Sequence, residues 1–166
     1  MEQIFNYIVE EKRMPLINPT KNFENLRFRQ RVRYLLSSIK KSKIYYLIVD
    51  EKFAGYMVLE RGGARHSFSS RNDLIVFPIY IKPEYRGFGY SRILLSYIPN
   101  NKTVYAVIAP NNIASLKTHI AAGFVFDNYV SYSRFKVWRI TEDKNERYLY
   151  KRKGIKVKEN VNFRKI

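Results

Sequence analysis

A chain of 166 residues falls within the usual size of one folded domain, and it can bury most of its apolar side chains without disulfide or metal support. Cysteine is absent, which excludes disulfides, thiolate metal sites and a cysteine acyl-enzyme intermediate. Because the sequence contains 2 histidines, a histidine-rich metal site is unfavourable, and we expect no bound metal. The formal net charge of +17 favours an acidic partner, although a basic solvated surface would give the same charge.

The first part of the chain alternates apolar runs with polar or proline-containing loops. Residues 4–9 form an apolar run, and after Asn22, a candidate N-cap, apolar residues recur at helical spacing. Residues 44–49 and 53–59 flank a short polar turn, which predicts a β-hairpin. The polar residues 64–72 predict a loop.

The next segment has the order strand, glycine loop, helix. Residues 74–81 predict a buried strand and residues 92–98 a helix, and the loop between them contains Arg86, Gly87 and Gly89. Glycines let a backbone wrap tightly around a ligand, and a helix that follows directly presents unpaired N–H groups to a phosphate. The segment predicts an anion site, although glycines in this position also serve as ordinary turn residues.

A second strand and helix follow. Residues 104–109 predict a strand, and residues 113–122 predict a helix that Gly123 ends. Residues 124–132 and 135–140 predict two further strands, and Thr141 could cap a last helix that Gly154 would end. This alternation predicts an α/β fold with a mixed sheet and helices on both faces.

The two motifs together resemble the GNAT superfamily of acetyl-CoA-dependent N-acetyltransferases, over about residues 44–140. In the family loop motif, (Gln/Arg)-x-x-Gly-x-(Gly/Ala), the fixed positions are occupied here by Arg86, Gly89 and Ser91, and Ser91 departs from the pattern. The later family motif is met by Asn112, Ser115, Gly123 and Phe124, while His119 stands where many members carry a catalytic tyrosine. The resemblance implies a mostly antiparallel central sheet and a single acetyltransferase domain over 1–166, with a basic C-terminal extension over about 141–166.

The resemblance also implies the residues that bind acetyl-CoA. Backbone N–H groups would hold its pyrophosphate at Gly87, Phe88, Gly89, Tyr90 and Ser91. Arg86 would add charge or fix the loop. The backbone of Ile79, Tyr80 and Ile81 would pair with the pantetheine arm, and Asn112 and Ser115 would bond that arm or cap their helix. Pro78 has no N–H and would interrupt the ladder where the thioester enters.

Catalysis by this scheme needs a proton for the departing sulfur and a base for the amine. His119 is the expected donor, although a histidine there could also simply pack or cap the helix. Asp73 is the candidate general base, with Glu60, Glu84 and His66 as other possibilities or with water as a relay. An N–H near Ile79 could stabilise the oxyanion.

The expected acceptor is a primary amine, either on a nucleotide-linked amino sugar or another small anionic molecule, or on a ribosomal protein or a protein N-terminus. The rival from another class is a non-catalytic module of the same fold that docks on nucleic acid or another polyanion. Tyr148, Tyr150 and Lys151 mix aromatic and basic groups, but the same pattern suits packing. With no membrane span and no signal-peptide pattern, we expect a cytoplasmic protein, either a monomer or a homodimer.

Overall fold

A computed structural model of the protein describes residues 6–13, 42–63, 65–133 and 137–154. The strands of this part of the chain are β1 Tyr7–Arg13, β2 Lys43–Val49, β3 Lys52–Arg61, β4 Leu74–Ile81, β5 Val104–Ile108, β6 Val125–Tyr132, β7 Trp138–Thr141 and β8 Arg147–Arg152. The helices are α1 Tyr90–Ser96 and α2 Ile113–Ala121, and a 3-10 turn covers Pro83–Tyr85. Neither helix is long and apolar enough to cross a membrane.

The strands of the described part form an 8-stranded sheet in the order β1-β2-β3-β4-β5-β8-β6-β7. Every neighbouring pair is antiparallel except β4 and β5, which are parallel. A parallel pair needs a crossover connection, and here α1 lies in that connection. The predicted mixed, mostly antiparallel sheet is confirmed.

The hairpin of β2 and β3 has a two-residue turn. Asp50 and Glu51 have φ angles of 47° and 63°, and Val49 pairs with Lys52 across the turn. Two successive residues of positive φ give the turn a twist that matches the twist of the strands. The hairpin predicted for residues 44–59 is therefore confirmed.

Both described helices pack on one face of the sheet. Leu94 and Leu95 of α1 are fully buried there, and Leu116 of α2 packs against the same apolar cluster. The opposite face has two smaller clusters, one that contains Ile44 and Val58 and one that contains Ile75 and Leu149. The helix predicted after Asn22 lies outside the described residues, so helices are seen on one face.

The helix predicted between Thr141 and Gly154 is wrong. Thr141 does accept an N–H, from Asp143 over 3.3 Å, but the chain then makes a turn and continues as β8. β8 lies between β5 and β6. Tyr150 is buried in the cluster on the face that carries the helices, and Leu149 is buried in a cluster on the opposite face. A strand buried on both sides has no alternation of apolar and polar residues, and this hid it from the sequence pattern.

Candidate functional site

A cleft opens where β4 and β5 separate. Their pairing covers Leu74, Ile75 and Val76 of β4, whereas β4 remains paired with β3 as far as Ile81. Beyond Val76, the backbone edge of β4 that faces β5 therefore has no strand partner within the described residues. An unpaired edge inside a sheet is a site where an extended ligand can add as a strand.

A bulge in β4 marks the start of this cleft. Val76 pairs with Leu59 and Ile79 pairs with Met57, so β4 contains one residue more than β3 across this interval. The extra residue falls at Phe77 and Pro78, where the missing proline N–H cannot join the ladder. The interruption predicted at Pro78 is present in the register.

A cavity of about 600 Å³ occupies the cleft and the adjoining loop. It is lined by Ile79, Tyr80, Ile81, Tyr85, Arg86, Gly87, Gly89, Tyr90, Ser91, Arg92, Asn112, Ala114, Ser115, Thr118 and His119. The fold thus brings together nearly every predicted cofactor-binding residue and His119. Phe88 instead lines a neighbouring cavity of about 640 Å³ between α1 and α2, which shares Gly89 and Arg92 with the first.

The glycine loop has open space beside two of its glycines. Gly87 and Gly89 have φ angles of 87° and 76°, and a Cβ atom built on either would meet no heavy atom within 4 Å. Arg86 Nε donates to the carbonyl oxygen of Ile81 over 3.0 Å, which ties the loop to the end of β4. Of the two roles predicted for Arg86, fixing the loop is the one visible in its contacts.

Asn112 begins α2 at the other side of the cavity. Its Oδ1 accepts a hydrogen bond from the Ser115 N–H over 3.1 Å, the usual N-cap arrangement. Capping, one of the two uses predicted for Asn112, is therefore observed. A contact of Asn112 or Ser115 with the pantetheine arm stays a prediction.

His119 lies near the end of α2 and is 5% exposed. Its Nδ1 is 2.8 Å from the carbonyl oxygen of Ser115 and 3.3 Å from the Ser115 hydroxyl. The ring meets Phe124 edge-on, with the ring centroids 5.2 Å apart. Burial lowers the pKa of His119, and the bond to Ser115 opposes this only in part. Burial therefore favours the neutral form of His119.

The cavity is positively charged. Arg86 and Arg92 line it, and no aspartate or glutamate does so among the residues that the structure describes. The same part of the chain contains no group of three or more histidine or acidic side chains able to hold a metal ion. Such a cavity suits an anionic ligand.

Asp73 does not reach the cavity. It precedes the first residue of β4, whereas the glycine loop follows the last, so the strand rise puts Asp73 about 25 Å from Ile81. Its Oδ2 accepts the Ser70 N–H over 2.7 Å and so stabilises a turn. A role for Asp73 as general base stays a prediction that its position does not support.

The remaining base candidates also lie elsewhere. Glu60 and His66 are buried, with exposures of 6% and 4%, and neither lines the cavity. Glu84 is exposed and lies 4.0 Å from Lys82. The sequence interpretation missed Arg92 and Thr118, although Arg92 directly follows the loop motif and Thr118 directly precedes His119.

No family model and no curated protein matches the sequence. Solved structures do match. A GNAT-family protein from Desulfovibrio desulfuricans aligns with a TM-score of 0.62 and 11% identity over 90% of this chain and 100% of its own. The protein yncA from Salmonella typhimurium, solved with its cofactor acetyl-CoA, aligns with a TM-score of 0.61 and 14% identity over 94% and 98%.

This protein has the GNAT fold. A spermidine N-acetyltransferase from Vibrio cholerae, solved with CoA and spermine, shares the fold at a TM-score of 0.55 and 17% identity over 88% of this chain and 95% of its own. The resemblance drawn from the two sequence motifs is thus confirmed for the fold.

Proposed function

We propose that the protein is an N-acetyltransferase that transfers the acetyl group of acetyl-CoA directly to a primary amine. The observation that carries this proposal is the cavity itself. A chain with the GNAT fold collects its glycine loop, the unpaired edge of β4 and the start of α2 around one positively charged space of about 600 Å³. These are the parts that the motif resemblance assigns to acetyl-CoA.

The cofactor would bind in two sections. Its pyrophosphate would lie against the backbone of Gly87–Ser91, where the open sides of Gly87 and Gly89 allow close approach and Arg86 and Arg92 supply positive charge. Its pantetheine arm would pair with the edge of β4 over residues 79–81, in place of the strand that β5 no longer supplies. The thioester would then lie near the bulge and His119.

Acetyl transfer makes three chemical demands at that end of the cavity. The amine must be neutral, because a protonated nitrogen has no lone pair with which to attack the carbonyl. The oxyanion needs a donor, and a backbone N–H at the bulge near Ile79 would serve. The departing thiolate needs a proton, for which His119 is the side chain that the motif assigns and that lines the cavity.

The net charge supports one acceptor class. A small anionic amine, such as a nucleotide-linked amino sugar, is favoured over a polyamine by the net charge of +17. An amine on a ribosomal protein or a protein N-terminus is the alternative acceptor. In the rival non-catalytic module, the same charge would serve only to dock the protein on a polyanion.

Isothermal titration with acetyl-CoA, CoA and ATP at low and high salt tests the cofactor. We expect binding that prefers acetyl-CoA and CoA over ATP and persists at high salt, because pantetheine contacts do not depend on screening. Weak binding of all three ligands that fades equally with salt would favour the polyanion-binding module. A panel of amines with acetyl-CoA then identifies the acceptor from CoA release.

A further inference from the structure

The hydrogen bond between His119 and Ser115 fixes which ring nitrogen carries the proton. A backbone carbonyl can only accept, and the Ser115 oxygen lies 2.8 Å from Nδ1, so the hydrogen of neutral His119 resides on Nδ1. Nε2 then holds a lone pair. Nε2 is buried and has no hydrogen-bond partner within the described part of the chain. A buried acceptor without a donor calls for an explanation.

This tautomer determines which proton transfer His119 can make first. A tyrosine at the same position begins with a proton and can give it to a thiolate directly. Neutral His119 has no proton on Nε2, and its Nδ1 proton is held by Ser115. His119 can therefore donate to sulfur only after Nε2 has taken a proton from another group.

We propose that His119 is a proton shuttle whose Nε2 takes a proton from the attacking amine and delivers it to the departing sulfur. The inference rests on the proposed acetyltransferase function. It gives the base and the acid to one side chain, in a cavity that no carboxylate lines among the described residues. No second base is then required.

The steps balance without any further reactant. The lone pair of the neutral amine forms a C–N bond to the thioester carbon, whose carbonyl becomes an oxyanion, and the nitrogen becomes positively charged. Nε2 removes a proton from this nitrogen and becomes part of an imidazolium. The oxyanion re-forms the carbonyl as the C–S bond breaks, and Nε2 returns the proton to the thiolate. The products are the N-acetylated amine and CoA, with His119 neutral again.

The surroundings favour an imidazole that is charged only briefly. Arg86 and Arg92 line the same cavity, and the Arg152 guanidinium lies 5.4 Å from the centre of the Phe124 ring against which His119 packs. The phenols of Tyr80, Tyr85 and Tyr90 also line the cavity. None of these groups is an anion that would hold the imidazolium, so the proton is readily passed on.

Nitrogen-15 NMR of the full-length protein tests the tautomer without any acceptor. The chain has 2 histidines, so comparison with His119→Asn assigns the signals. We expect an Nδ1-protonated His119 at neutral pH. Adding CoA should shift the Nε2 signal because its S–H can donate to Nε2, whereas desulfo-CoA, which lacks the sulfur, should not. An Nε2-protonated ring, or equal shifts with both ligands, would overturn the shuttle.

Kinetics of two variants separate proton transfer from packing. The amide of His119→Asn can still donate to Ser115, but it has no nitrogen in the place of Nε2, and His119→Ala has neither. We expect both variants to lose about 100- to 10,000-fold in turnover with unchanged acetyl-CoA affinity. A normal rate for His119→Asn would mean that His119 has only a structural role. Failure of the wild type to bind acetyl-CoA would instead overturn the proposed function, and the shuttle with it.

Discussion

Arg86 donates from Nε to the carbonyl oxygen of Ile81 over 3.0 Å, so one side chain joins the glycine loop to the strand whose edge faces the cavity. No hydrogen bond from the described residues occupies the remaining nitrogens of the guanidinium, which could therefore face a ligand. Because a guanidinium has several donors in a fixed plane, it can hold a backbone oxygen and face a phosphate together.

Replacement of Arg86 should therefore weaken cofactor binding beyond the loss of one charge. We expect Arg86→Gln to lower acetyl-CoA affinity about tenfold, or ~1.4 kcal/mol, because both the charge and the tie to Ile81 are lost. Titration calorimetry measures the change. Lys102→Gln removes an exposed charge away from the cavity and is the matched control. Equal losses in the two variants would mean that only net charge matters.

Gly89 and Gly123 allow a test of the open loop. Both have a left-handed backbone, with φ of 76° and 82°, so alanine at either should cost about 1 kcal/mol of folding stability. A Cβ at Gly123 would meet only the Arg152 Cδ, at 3.8 Å, whereas one at Gly89 adjoins the cavity. We expect both alanine variants to melt lower and only Gly89→Ala to lose acetyl-CoA affinity. Thermal unfolding of each variant measures the loss of stability, and titration of the same samples with acetyl-CoA measures the affinity.

The N-cap of α2 can be separated from cofactor binding. Asn112→Ala removes the acceptor for the Ser115 N–H and should lower the free energy of unfolding by about 1 kcal/mol. Asn112→Asp keeps the cap but adds a negative charge to a cavity intended for an anion. We therefore expect Asn112→Asp to fold normally and to bind acetyl-CoA more weakly. Urea unfolding and calorimetry measure the two properties, and unchanged affinity in the aspartate variant would argue against an anionic ligand in this cavity.

Burial of His119 predicts the pH dependence of stability. Its pKa in the folded protein lies below the ordinary value of 6.5, so the unfolded chain binds the proton more readily. The stability from His119 is complete above about pH 6.5 and is lost as the pH falls from there through the lowered pKa. His66 is present in both proteins, so the difference between wild type and His119→Asn isolates His119. We expect the melting temperature of the wild type to fall more steeply with acid, and parallel curves would contradict this.

The sequence predicted the cavity better than it predicted the C-terminal sheet, for local reasons. A left-handed backbone requires glycine at position 89, and a helix N-cap favours asparagine at position 112. Such backbone requirements are visible in a few neighbouring residues. β8 was mistaken for a helix because its burial comes from strands distant in sequence. A strand pattern gives no sign of which end meets the ligand, so the sequence could not place Asp73 relative to the cavity, and no sequence pattern gives the tautomer of His119.

The separation of β4 and β5 divides the sheet into two four-stranded halves. Within the described residues, β1 to β4 form one half and the other four strands form the second. The ladder between β4 and β5 covers Leu74–Val104, Ile75–Tyr105 and Val76–Ala106, and the loop before β4 adds a bridge from His66 to Trp138 of β7. A ligand that pairs with β4 while it touches α2 would hold the halves together beyond this short junction. A ligand bound in the cleft should therefore also stabilise the two halves against local opening, and hydrogen exchange in both halves should slow when the ligand is bound.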